Sequence, residues 1–509
     1  MSRSRTIPIA APPHPTRLAP VLLAPLVLVI NGYHPFAGDA GIYIAAVQHI
    51  LNPTLYPLNA VFVTAFTRLS VFPWMLAALI RLAPLPLAWT LLLIHLLSIF
   101  LFLESVRQLA RRLFTAEPPR WYAILLAAAC CGLPVAGTAL VVMDPYLTAR
   151  SFSTPLTLFA IAACLDAVKS HPALRTRAWL RTALLLLLTA LFHPLMGAYA
   201  LAFVILLALI SSSRTRFAVA LCAAAYVLAG VAFTVAHFLP ISAAYRQAVS
   251  LPQRSFLFLS RWHWYEILGL VLPLVLCHLA ARRFPRSSPV GALCFACFLM
   301  GSTTVIIAAL FIPSAGPYLL VPFQLLRSFH IVYVTGIVLS AGLLSALSRR
   351  SLLAIAAAFI VIFAAMFTAQ RAFWPGSPRI EMPGQPSYNP WQQAFLWIRI
   401  HTPANAVFAF DPQLVYQPGE DEQGFRAISE RDHLADDKDA GIVADLPHLA
   451  NRWATQRNAE SSVNRMTDQQ RKAALLPTGA TWLLLNPESP TNGPCPYENS
   501  KVKVCKLTP

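Results

Sequence analysis

The sequence predicts a polytopic α-helical membrane protein that ends in a small α/β domain. Three observations carry that fold class. Hydrophobic residues make up 57% of the chain and charged residues only 12%, where a soluble domain carries about a quarter. The formal net charge of +18 is unevenly placed, with 25 Lys and Arg against six acids over residues 1–369 and 14 against 15 over residues 370–509. From Gln370 the composition turns to a Pro/Gly-rich linker (Trp374-Pro375-Gly376-Ser377-Pro378) and then to balanced polar sequence. The basic excess therefore belongs to the apolar part, where it sets topology. It does not point to an acidic partner such as nucleic acid.

A crossing helix needs about 20 apolar residues. Such spans fall at roughly 18–32, 85–106, 121–142, 152–168, 182–192, 195–211, 217–239, 266–281, 289–312, 326–347 and 351–369. The first span has no small-residue cleavage site behind it, so it reads as a retained helix. The pair at 182–192 and 195–211 is short and broken by His193-Pro194 and Gly197, with basic clusters at both outer ends. A hairpin returning to its own side satisfies both facts. About eleven crossings then place 18 Lys and Arg in the inside loops, among them Arg3, Arg5, Arg17, Arg214, Arg216, Arg349 and Arg350, against seven outside. That bias predicts an inside N-terminus and an outside C-terminal domain, periplasmic if the membrane is the bacterial inner membrane.

Between the first two spans, Gly41–Leu51 carries apolar residues at helical spacing (Ile42, Ala45, Ala46, Ile50). It is expected to lie along the interface as an amphipathic helix. The outside loop 241–265 ends in an aromatic run around Trp262-His263-Trp264-Tyr265, either an interfacial belt or a surface that grips a lipid or sugar. In the tail, helices are expected around 390–401, 444–459 and 465–476, with strands at Ala406–Phe410, Thr481–Leu485 and 501–507. The division is a transmembrane domain over 1–369 and a periplasmic α/β domain over 370–509. Seven cysteines, Cys222 among them, lie in apolar spans and read as small core residues, including the Cys294/Cys297 CxxC pair. Cys495 and Cys505 are alone in the polar tail, and an oxidising compartment would join them.

Four constellations could carry chemistry. Asp39, in the stretch Gly32–Tyr43 that also holds His34, is the first acid of the chain and falls at the outer edge of the first span. It either caps the following helix or works as a base or hydrogen-bond anchor. Asp144, in Met143-Asp144-Pro145, either starts a helix with Pro at its first position or supplies a second carboxylate. Arg150 nearby offers a forked donor for phosphate, and the two carboxylates could hold a divalent cation, Mg or Mn. His193 stands at the hairpin tip. Arg327 and His330 sit at the outer end of the tenth span, where Arg327 either snorkels or neutralises a lipid-linked phosphate.

The chain resembles the GT-C superfamily of membrane glycosyltransferases, which includes oligosaccharyltransferase catalytic subunits and protein mannosyltransferases. The likeness rests on an outward acid directly after the first helix, a second acid in the next outward loop, a short helix pair, and a C-terminal domain outside. It is nearest to uncharacterised bacterial members with Gly38-Asp39-Ala40-Gly41-Ile42-Tyr43 in the first loop and His193-Pro194-Leu195-Met196 in the hairpin. The segment Trp397–Phe408 and the run Gly424-Phe425-Arg426-Ala427 are similar to tails of those relatives. Many members carry an acidic pair in the first loop, whereas Asp39 stands alone. The resemblance implies transfer from a polyprenyl-phosphate sugar to an acceptor at the periplasmic face. It also implies Asp39 and Asp144 as the catalytic acids, with His34, Arg150, His193, Arg327 and His330 around the substrate. The competing class is a transporter or a non-catalytic membrane partner; against transport, the acids cluster at membrane edges and no internal repeat is seen.

Overall fold

The protein is described by a computed structural model over residues 18–83, 85–211, 227–228, 230, 241–312, 318, 320–348 and 351–508. The expected span 217–239 lies outside the described residues apart from 227, 228 and 230, as do Arg3, Arg5, Arg17, Arg214, Arg216, Cys222, Arg349 and Arg350. Seven helices among the described residues are long and apolar enough to cross a membrane. The most enclosed is Arg150–Lys169, with 78% of its apolar window inside the protein, while Trp264–Arg283 and Leu352–Phe373 have 11% and 6%. Those last two helices turn Leu272, Leu353 and Ile360 outward, the surface a lipid-facing helix presents. Small residues on the central helix (Ser151, Ser153, Thr154, Ala160) let its neighbours approach closely.

The first helix, α1, spans Ala19–Asn31 and stops at Gly32, whose φ of +82° suits glycine. A side chain there would collide with Gln370 and with the Arg379 carbonyl, so the start of the first loop lies against the linker. The second helix, α2, spans Ala40–Leu51 and departs from expectation. Tyr43, Ile44 and Val47 are buried, and Gln48 donates to the Ala427 carbonyl at 2.9 Å. It is wedged between the helical bundle and the C-terminal segment rather than laid on a bilayer surface.

The expected span 121–142 is also corrected. Its helix covers Glu117–Ala129, and the chain then folds into a loop closed by a bridge between Pro134 and Val141. Gly132, Pro134 and the positive φ values of Ala136 and Ala139 are incompatible with continuing the helix. The helix pair breaks at His193 as expected, but its first arm is the longer, 21-residue helix Pro172–Phe192, which starts before the apolar run, and its second is Pro194–Ser211.

Beyond Leu352–Phe373, the Asn389 side chain caps the helix Pro390–His401 by accepting from the Trp391 and Gln392 amides. The chain then builds a five-stranded mixed sheet in the order β2-β1-β3-β5-β4. Its strands are β1 (Val407–Ala409), β2 (Asp432–His433), β3 (Trp482–Leu485), β4 (Tyr497–Glu498) and β5 (Lys503–Lys506). β1 runs parallel to β2 and β3, while β5 is antiparallel to β3 and β4. A disulfide joins Cys495 to Cys505. The largest apolar core runs from the bundle into this segment and includes Ile442, Val443 and Trp453.

Candidate functional site

The site grows from the loop after α1 and the loop that precedes the helix Arg150–Lys169. The His34 amide donates to the Pro145 carbonyl at 2.9 Å and ties the loops together. Gly38, at φ +54°, lies under Tyr146 and donates its N–H to the Glu422 carbonyl at 2.8 Å. A Cβ on Gly41 would come within 2.8 Å of the Gly424 Cα, so the first turn of α2 sits directly against the C-terminal segment.

Asp39 occupies the N-cap position of α2, yet its carboxylate makes no capping bond. Asp144 begins no helix either, since the next one starts at Arg150. Both acids are turned to a single guanidinium. Arg150 Nη2 lies 3.0 Å from Asp39 Oδ2 and 2.9 Å from Asp144 Oδ2, and its Nε donates to Asp144 at 3.2 Å. Thr148 Oγ1 adds a donor to Asp144 at 3.3 Å. On the other side of Asp39, the Lys438 ammonium sits 3.1 Å from Oδ1 and 3.0 Å from Glu422 Oε2. Side-chain exposure falls from 40% for Glu422 and 32% for Asp39 to 17% for Lys438 and 6% for Asp144, so the cluster deepens towards the bundle.

The surroundings drive the two acids apart. Burial works against ionising Asp39, but Lys438, Arg150 and Arg327 outweigh it and hold the carboxyl well below its usual range. Burial raises Asp144, and the neighbouring Asp39 charge adds to that, so Asp144 holds a proton more readily than an ordinary aspartate. Burial also opposes charge on Lys438, yet Glu422, Tyr416 and Asp39 keep it firmly protonated.

The other expected site residues divide. Arg327 donates through Nε to the Thr138 carbonyl at 3.3 Å and lies over the Phe256 ring at 4.3 Å. Among the described residues no carboxylate pairs with it, which leaves its forked end available to an anion. His193 is within electrostatic reach of Arg150, Arg327 and Asp39 at the hairpin tip. His34 is not in the cluster: it is fully buried, bonds Glu381 at 2.7 Å and stacks on Trp374. His330 is committed to the Val142 carbonyl at 3.0 Å. These two histidines hold loops in place.

Sequence reasoning missed Lys438, Glu422 and Arg254. The signal was faint: one lysine within Asp436-Asp437-Lys438-Asp439. The structure explains that run. Asp437 pairs with Arg457 at 2.9 Å, Asp439 pairs with Arg426 at 3.0 Å, and Asp436 caps the Asp439 amide at 2.9 Å. Arg254 reaches from the loop 250–263 to the carbonyls of Asp437 and Lys438 at 2.9 and 3.0 Å. Lys438 is thereby aimed by a clamped loop.

A cavity of about 460 Å³ opens beside the cluster. Asp144, Glu422 and Tyr146 form part of its polar wall, and Phe256, Phe373 and Trp374 part of its apolar wall. A divalent cation does not fit the donor set. Oxygens that would ligate it already face a guanidinium and an ammonium, and among the described residues no His, Cys, Asp and Glu group of three or more is arranged to hold a metal ion.

No protein-family model matches the chain, and no curated protein matches it. Among solved structures it is similar to the archaeal oligosaccharyltransferase AglB from Archaeoglobus fulgidus, determined in complex with an inhibitory peptide and a dolichol-phosphate. The two share 14% identity at a TM-score of 0.54, over 92% of this chain and 69% of that one. The neighbour belongs to the class of membrane enzyme that the loop motifs resemble, and at this identity the likeness is one of fold.

Proposed function

We propose that this chain is a membrane glycosyltransferase that moves a sugar from a polyprenyl-phosphate-linked donor to an acceptor at the outer, periplasmic face of a bacterial inner membrane. The observation that carries it is the pair of outward carboxylates, Asp39 and Asp144, bridged by one arginine at the edge of a cavity. The fold likeness to an oligosaccharyltransferase solved with dolichol-phosphate supports a lipid-linked donor. The charge bias of the loops supports the orientation, and residues 370–509 act as the outer domain that completes the site.

The roles follow from the two environments. Asp39, ionised by its cations, accepts a hydrogen bond from the acceptor hydroxyl and orients it. Asp144, the more basic of the two and part of the cavity wall, takes the hydroxyl proton as the new bond to the anomeric carbon forms. The bond from that carbon to the phosphate oxygen breaks, and the leaving phosphate keeps the electron pair. Arg327, which makes no ion pair among the described residues, faces that charge.

Asp144→Asn tests this assignment. Arg150 keeps Asp39, so the fold persists, while removal of a general base lowers turnover by about 10²–10⁴-fold. The measurement is transfer from a synthetic polyprenyl-phosphate sugar by purified protein, with thermal unfolding as the control. Near-normal turnover in both Asp144→Asn and Asp39→Asn would overturn the proposal.

A further inference from the structure

We infer that Lys438 stands where a divalent cation would otherwise bind, so that the site runs on fixed side-chain cations and takes up no divalent metal. Asp39 and Glu422 come from separate segments and face one another across Lys438, each offering the hard carboxylate oxygens that Mg²⁺ or Mn²⁺ takes, with Asp144 beyond Arg150 on the other side of Asp39. The centre of that arrangement is filled. Lys438 bridges Asp39 and Glu422 at 3.1 and 3.0 Å, and Arg150 bridges Asp39 and Asp144 at 3.0 and 2.9 Å. Two unit positive charges among three carboxylates leave the same net charge as one divalent ion would. A metal entering the cluster would meet the repulsion of an ammonium and a guanidinium already paired with those oxygens.

The clamp around Lys438 supports a dedicated placement. Lysine is flexible, and an exposed surface lysine samples many positions. Here Arg254 grips the carbonyl of Lys438 and that of the residue before it, while Arg457 and Arg426 fix Asp437 and Asp439 on either side. Arg254 is itself buried, and its guanidinium packs so close to Gly441 that a Cβ there would come within 2.9 Å of Nη2. The result is one ammonium aimed from the C-terminal segment at an acid near the start of the chain.

Metal binding is measurable without any sugar donor, so this inference can fail while the glycosyl-transfer assignment stands, and the reverse. The probe is Mn²⁺, titrated into the full-length protein in lipid nanodiscs and followed by electron paramagnetic resonance of the free ion. Wild type is expected to hold no stoichiometric Mn²⁺ at 1:1 in the range of about 0.1 mM. Lys438→Ala opens the space between Asp39 and Glu422 and is expected to gain a single site at least about tenfold tighter than any in wild type. Lys438→Arg, which restores the charge, is expected to remain metal-free. Circular dichroism and thermal unfolding identify folded variants, and Lys438→Gln serves should the alanine form not fold. A single Mn²⁺ site in wild type that disappears in Asp39→Asn would overturn the inference. So would a Lys438→Ala protein that is folded and still takes up no metal.

Discussion

Arg150 is the residue whose replacement separates geometry from charge. Its guanidinium makes three contacts of 2.9–3.2 Å to two carboxylates. Lysine keeps the charge but is a single point donor without the fork, so Arg150→Lys loses the bridge to one acid. A hydrogen bond to a charged group contributes about 1.5–3 kcal/mol, and about 1.4 kcal/mol is tenfold in rate or binding. If that bridge sets the relation between the two acids in the transition state, turnover should fall roughly 10–150-fold in Arg150→Lys. Arg150→Met removes the charge as well and leaves Asp144, 6% exposed, buried without its cation. Breaking a buried pair from one side costs about 3–5 kcal/mol, and protonation of Asp144 relieves part of that. Its folded-state pKa, already raised, rises further. The protonated form is then favoured by the fold, so the loss of stability is small at low pH and grows as pH climbs past the ordinary carboxylate range. Thermal unfolding of both variants between pH 5 and 8, beside transfer kinetics, reads these effects. A methionine variant as active as the lysine one, or one whose destabilisation is the same at pH 5 and pH 8, would refute the bridging role.

Arg327→Gln should weaken binding of polyprenyl phosphate by about tenfold or more, the equivalent of one charge-assisted contact, with little change in turnover; titration of the lipid phosphate against tryptophan fluorescence checks it. Burial and the neighbouring Asp439 push Asp436 up to about 7, so its neutral form is the one the fold favours. Its penalty is absent at low pH and grows as pH rises from the usual aspartate range to about 7, and Asp436→Asn should therefore be more stable than wild type at pH 8, by on the order of 1–2 kcal/mol, and show a smaller advantage at pH 5. Chemical denaturation at the two pH values measures the difference. An alkaline phosphatase fused after residue 370 should be active in a bacterial cell, as the 18-to-seven loop bias requires; an inactive fusion with an active cytoplasmic reporter would reverse the orientation.

Much of the architecture was legible because a bilayer imposes long apolar runs and a charge bias that survive without any alignment. The acids of the site were legible for a related reason: six carboxylates in 369 residues make each one conspicuous. Periodicity could not tell a helix on the membrane surface from one sandwiched in protein, since α2 shows the same apolar spacing in either place. Hydropathy alone likewise read residues 130–142 as helix, because a buried loop is as apolar as a span, and Gly132 and Pro134 were outvoted by their neighbours. Lys438 was hidden for a different reason. It lies in a segment of balanced charge, where a lysine among aspartates reads as ordinary surface, and its partners come from distant chain segments. Nothing local marks a contact closed by tertiary packing.

The separation between Asp39 and Lys438 has a consequence for how the protein is made. A ribosome adds about 5–20 residues per second, so Asp39 emerges roughly 20–80 s before the lysine that will pair with it, 399 positions later. During that interval the helices insert, and Asp39 and Glu422 cannot yet share their cation. The back-to-back approach of Gly41 and Gly424 forms only when the C-terminal segment folds down onto the first loop. Competence thus follows insertion of the bundle, and a ribosome that stalls before the segment carrying Glu422 and Lys438 leaves an inserted bundle with an unfinished site.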